Sequence, residues 1–149
     1  GAELILCTDY RLATKGAKIG WPQARLGIIP AWNGIDRLVR DCGPRVASNL
    51  MFTGKQIEAD EAKVLGLIDQ VIDDNNIVDA ALSYAKSLEE SAPLALKATK
   101  RIIKSCSKMT TEDGRKLQYD IFPDLWFSAD HKEAEKAFSE KGKPTFSGR

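Results

Sequence analysis

Two apolar segments each hold one strongly hydrogen-bonding side chain: Glu3 lies within 1–9 (GAELILCTD), and Gln23 within 20–30 (GWPQARLGIIP). A carboxyl or an amide taken out of water costs free energy unless the fold supplies partners. The two polar positions are 20 residues apart, one in the first turn of a short apolar helix and one just after an X-Pro bend. Glycine and proline also punctuate this region closely, at Gly1, Gly16, Gly20, Pro22, Gly27 and Pro30. Long helices and long strands are thereby excluded from the first 30 residues, which must be built from short pieces.

Residues 2–8 read as a short buried helix with Glu3 in its first turn. Tyr10–Ala13 and Ala17–Ile19 read as short strands around a Lys15-Gly16 turn. Trp21, preceding Pro22, is biased to extended backbone, and Leu26 to Pro30 reads as an apolar loop. Asn33-Gly34 leads into a helix with Ile35, Leu38 and Val39 on one face. Cys42-Gly43-Pro44 ends it and starts the next, since Gly suits a C-cap and Pro the first helical position. Pro44–Phe52 and Ala59–Leu65 are helical, Leu67–Ile72 strand-like, and Asp73–Asn76 a turn. Helices then follow over Ile77–Glu90, Pro93–Lys108, Thr110–Phe127 and His131–Ser139. The pattern is an α/β part over 1–72 and a helical part over 73–149, with too little strand to make a satisfactory sheet unaided. Further strands are expected from the N-terminal side. The opening at Gly1, without an initiator Met, reads as a fragment or a processed chain.

A net charge of +1 from 22 basic and 21 acidic residues points to neither nucleic acid nor an anionic membrane. No run of about 18 apolar residues is present to span a bilayer. Cys7, Cys42 and Cys106 have no metal-ligand spacing and fit reduced thiols in a cytosolic-type compartment. No metal, Ser-His-Asp or phosphate-loop pattern can be assembled.

The ordered set of motifs resembles the crotonase superfamily, the enoyl-CoA hydratases and isomerases. Besides the opening pair of segments, the resemblance rests on 50–62 (LMFTGKQIEADEA), 66–71 (GLIDQV), Ala92-Pro93-Leu94-Ala95 with Lys100, and 128–134 (SADHKEA). Ala137-Phe138 and 141–146 (KGKPTF) complete it. It spans the whole chain and corresponds to the C-terminal part of a family domain. It implies a spiral of ββα units followed by a helical region that makes trimers, or hexamers as dimers of trimers. It also implies an acyl-CoA thioester as substrate, no separate cofactor, and a place in fatty acid metabolism. The cytoplasm is the expected location, with mitochondrion and peroxisome left open.

Residue by residue, the resemblance puts Glu3 on the first catalytic glutamate and Gln23 on the second. A carboxylate exchanges protons, whereas a neutral amide only donates and accepts hydrogen bonds. The two-carboxylate hydration mechanism is thus altered, leaving one-base isomerisation, an unusual hydration, decarboxylation or hydrolysis. Gly1 borders one N–H donor of the oxyanion hole, the fixed-donor device that stabilises a thioester enolate. Pro30 and Trp32 fall near the acyl pocket, where Ala31-Trp32-Asn33-Gly34 replaces a run of several glycines. Phe138 and Lys141 fall on CoA-contacting positions, often reached from a neighbouring subunit. The stretch alone is expected to be inactive.

Plainer readings stand beside these. Glu3 suits a helix start through the dipole alone, and Gln23 fits a buried loop hydrogen bond with no further role. Trp32 and Phe138 read more readily as core than as ligand contacts, since aromatics dominate core burial, His131 as a solvated surface residue, and Lys97–Lys108 as a solvated helix face. The rival function is a non-catalytic binding or assembly subunit that keeps the fold.

Overall fold

The computed structural model describes residues 1–73 and 76–149. It is α/β, and its residues gather into two compact units, Gly1–Leu82 and Ser83–Arg149. The division falls within one helix, α4 (Ile77–Leu88). The turn expected at Asp73–Asn76 falls partly on residues 74 and 75, outside the described residues.

In the first unit, α1 (Ala2–Ile5) leads to β1 (Leu12–Thr14) and β2 (Lys18–Gly20), then to a 3-10 helix (Pro22–Leu26). The kinked helix α2 (Gly34–Thr53), β3 (Gln56–Glu58), α3 (Ala59–Val64) and β4 (Gln70–Ile72) complete it before α4. The strands on either side of Lys15-Gly16 do not pair with each other. β1 pairs in parallel with β4, Ala13 opposite Val71. β2 pairs antiparallel with β3, Ile19 opposite Ile57. A three-residue strand gains little from its own ladder, so burial decides its partner. Ala13, Ile19 and Ile57 all point into one core with Leu6, Trp21, Leu38, Ala47, Leu50, Met51 and Leu67.

Trp21 is the keystone of that core and is completely buried. Its extended backbone, φ −123° and ψ 80°, is what a residue before proline favours. Full burial of a large apolar side chain stabilises by roughly 1.5–3 kcal/mol, so each of Trp21, Leu38 and Leu50 counts heavily. Gly43, at φ 81°, breaks α2 where the sequence places a cap followed by proline. The helix-start segment is less buried than expected. Helical residues end at Ile5, and Leu4 is largely exposed while Glu3 and Leu6 face inward.

The second unit holds the rest of α4 with α5 (Pro93–Cys106), α6 (Thr111–Trp126) and α7 (Ala129–Ser139). Thr110 and Ser128 cap α6 and α7, their hydroxyls accepting the N–H of Asp113 and His131. Asp130, 2 % exposed, accepts the N–H groups of Ser147 (2.7 Å) and Gly148 (3.0 Å), closing the C-terminal residues onto the start of α7. His131 is half-buried against Trp126, ring centroids 4.5 Å apart, rather than solvated. Among the described residues of this unit, Ala98 and Ala137 are the only buried apolar residues. Aromatic residues of α6 and α7 lie open instead.

Candidate active site

Glu3 is carried by the first turn of α1 and is 8 % exposed. Three donors reach its carboxyl. The backbone N–H groups of Trp32 (2.8 Å) and Gly34 (3.0 Å) both donate to Oε2. The Gln23 amide donates from Nε2 to Oε1 in a longer contact of 3.5 Å. Oε2 thus sits at the N-terminus of α2, where free N–H groups and the helix dipole both favour an anion.

The 3-10 helix brings Gln23 into range. Trp21 is anchored in the core, Pro22 starts the turn, and Gln23 follows it with its side chain half-buried. The orientation of its amide is set by Glu3, because a flipped amide would set two acceptors against each other. Its own Oε1 is enclosed and has no hydrogen-bond partner.

Glu3 and Gln23 line a concavity of about 420 Å³ with Gly1, Ala2, Gly20, Pro22, Ile28, Ile29, Ala31 and Trp32. Glu3 is the one ionisable side chain among them. The structure therefore brings together four of the residues singled out in the sequence: Gly1, Glu3, Gln23 and Trp32. Pro30 lines a neighbouring apolar hollow of about 300 Å³ against α2, and Ile28 and Ile29 line both. Trp32 is not a core residue, being 72 % exposed. Nor is Phe138, 89 % exposed near the end of α7 in the second unit, three residues before Lys141. Lys141 has a left-handed backbone, φ 53°.

Two features of the site were not visible in the sequence. One is the pair of backbone donors from 32 and 34. The other is the Ile28–Ile29 wall, which read only as apolar loop. The Asn33-Gly34 dipeptide was the available signal for the first. Asn tolerates the left-handed backbone that Asn33 adopts, φ 64°. No group of three or more potential metal ligands occurs among the described residues. No helix among them is long and apolar enough to cross a membrane.

Residues 1–149, the whole chain, match the enoyl-CoA hydratase/isomerase family model. The chain belongs to the enoyl-CoA hydratase/isomerase family. It is similar to the enoyl-CoA isomerase/hydratase fer4 of Mycosarcoma maydis, 39% identical over all of this chain and 55% of that protein. It is also similar to carnitinyl-CoA dehydratase of Salmonella paratyphi A, 33% identical over all of this chain and 59% of that protein. Among solved structures, the enoyl-CoA hydratase from Bacillus anthracis superposes with a TM-score of 0.97 at 30% identity. That likeness covers 100% of this chain and 58% of the other. The chain thus spans between half and two thirds of the length of these relatives, and its fold is that of the crotonase superfamily.

Proposed function

We propose that the protein acts on acyl-CoA thioesters as a hydratase/isomerase-type enzyme in which Glu3 alone exchanges protons with the substrate. The observation that carries this reading is the composition of the concavity: one buried carboxyl, held by three donors, beside a neutral amide, with no second ionisable side chain among the described residues that line it. A single base is enough to remove a proton from a thioester and return it elsewhere, which favours double-bond isomerisation. Hydration would need a water held by the same carboxylate. The names of the two relatives join isomerase, hydratase and dehydratase chemistry of CoA thioesters.

In this reading Gln23 steadies Glu3 and does not carry a proton. Gly1 borders the donor that stabilises the enolate oxygen. Trp32 and Pro30 flank the acyl group, with the Ile28–Ile29 wall between their hollows. Phe138 and Lys141 contact CoA, an ammonium pairing with phosphate as a point charge. The protein assembles as a homotrimer or hexamer through its helical region, in keeping with the open aromatic faces there. Proton exchange at Glu3 calls for no cofactor beyond the thioester itself.

The test is turnover of a panel of trans-2- and 3-enoyl-CoA thioesters by the full-length protein and its Glu3→Gln variant, with binding measured by calorimetry. Turnover is expected to fall by roughly 10²–10⁴, the usual worth of a positioned acid or base, while affinity changes by a few fold. Unchanged turnover removes Glu3 from the mechanism. Tight thioester binding by a wild type that turns over nothing favours the binding-subunit reading.

A further inference from the structure

The glycine that begins α2 stands against the Glu3 side chain. A Cβ placed on Gly34 would lie 2.6 Å from Glu3 Cγ, 2.7 Å from Oε2 and 2.9 Å from the carboxyl carbon. Those separations are inside van der Waals contact, so any side chain here must displace the carboxyl or the helix. The demand is for space and not for unusual backbone. Gly27, Gly43 and Gly66 show the opposite case: their φ values are 74°, 81° and 77°, and a Cβ on any of them meets nothing. Between the two donors, Asn33 has φ 64° and ψ 25°. This left-handed residue turns the N–H groups before and after it to one side, the arrangement of a small backbone nest for an anion. Arg37 braces the loop by donating to the Trp32 carbonyl at 2.8 Å.

We propose that Gly34 is a positioning residue: its missing side chain lets the Trp32–Gly34 nest hold Glu3 Oε2, so that Oε1, which meets only the long Gln23 contact, is the oxygen that takes and returns a proton. The inference rests on the proposed role of Glu3. With Oε2 occupied by two N–H groups, the carboxyl is not free to rotate and to accept at one oxygen while donating from the other. A proton taken at Oε1 must leave from Oε1, because the neighbouring Gln23 amide cannot receive it. Removal and return then occur from one point on one side of the substrate.

The experiment is a double-mutant cycle of Gly34→Ala and Glu3→Asp in steady-state turnover of the enoyl-CoA thioester that wild type handles fastest. Asp is shorter by one methylene and withdraws the carboxyl from the new Cβ. In the wild-type background Gly34→Ala is expected to lower kcat by about 10²-fold, as for a misplacement of about 1 Å, with KM changed by only a few fold. In the Glu3→Asp background the same change is expected to cost only a few fold. An equal penalty in both backgrounds, or a wild-type kcat for Gly34→Ala, overturns the proposal.

Amide NMR supplies a second arm that needs neither turnover nor the alanine variant. Trp32 and Gly34 N–H resonances, shifted downfield by a charged acceptor, are expected to move upfield together in Glu3→Ala. Their staying put overturns the nest. A wild type without turnover whose two amides still respond together upholds the holding of Oε2 and counts only against the proposed activity.

Discussion

Between Glu3 and Gln23 the proposed chemistry depends on one atom type: Gln23 offers Glu3 an amide nitrogen at 3.5 Å rather than a carboxylate oxygen. Gln23→Glu would bring two carboxyls to about the present 3.5 Å separation, where one holds its proton to higher pH. A carboxyl whose folded pKa is raised leaves stability intact below its unfolded pKa of about 4.3 and lowers it as pH rises through the folded value. Gln23→Glu is therefore expected to lose stability relative to its parent between about pH 4 and pH 7, by about 1.4 kcal/mol for each tenfold gain in the carboxyl's proton affinity on folding. Denaturant titration at the two pH values checks this, and an equal difference at both contradicts it. A second residue-scale outcome concerns thiols. Burial raises the pKa of Cys42, with Asp41 adding to the rise and Arg11 opposing it. Cys42 is expected to alkylate more slowly than exposed Cys7 and Cys106 at pH 8, as read by mass spectrometry of iodoacetamide-treated protein. The resemblance singled out Glu3 and Gln23, and the structure brings the two side chains within 3.5 Å of each other. The nest that holds Glu3 was not legible in the sequence, because its donors are main-chain groups that every residue but proline carries and only loop geometry aims them.

At the scale of elements, Arg11 does what short strands cannot do for themselves. Its guanidinium pairs with Asp41 of α2 at 2.7 Å and donates to the carbonyls of Ile5 (2.9 Å), Thr8 (3.2 Å) and Leu67 (3.4 Å). Its backbone N–H donates to Asp69 at 2.7 Å. One side chain thus fastens the end of α1, α2 and the approach to β4 around β1. Arg11→Met keeps much of the stem but strands a carboxylate and several carbonyls. It is expected to destabilise by about 2–4 kcal/mol, given the cost of partnerless polar groups, as measured by urea unfolding; a loss below about 0.5 kcal/mol contradicts it. The helices were legible from periodicity and from Gly and Pro punctuation, down to the break at Gly43. Strand pairing was not. β1 meets β4 at Leu12 opposite Gln70, a partner far along the chain. β3, at Gln56–Glu58, lies in a stretch with no alternation long enough to announce a strand.

For the whole molecule, the telling feature is how much apolar surface each unit leaves open. Leu26, Ile29, Phe52 and Val64 are exposed in the first, and Tyr119, Phe127 and Phe138 in the second. The described strands form two-stranded ladders only, and unpaired strand edges invite further pairing. Apolar surface left open to water favours association where it is contiguous. The 149-residue chain is expected to sediment as a species larger than its 16.4 kDa at micromolar concentration; a stable monomer contradicts this. The composition announced a core but not which faces stay open, since exposure depends on the packing of elements that the sequence only orders.

The proposed chemistry turns on one group, Glu3, exchanging protons with the substrate, and the pH dependence of kcat reads that exchange without any substitution at the site. A single exchanging base predicts a wild-type profile with one limb of unit slope, falling on the acid side. A bell-shaped profile with two ionisations in the wild type would rule out exchange through Glu3 alone.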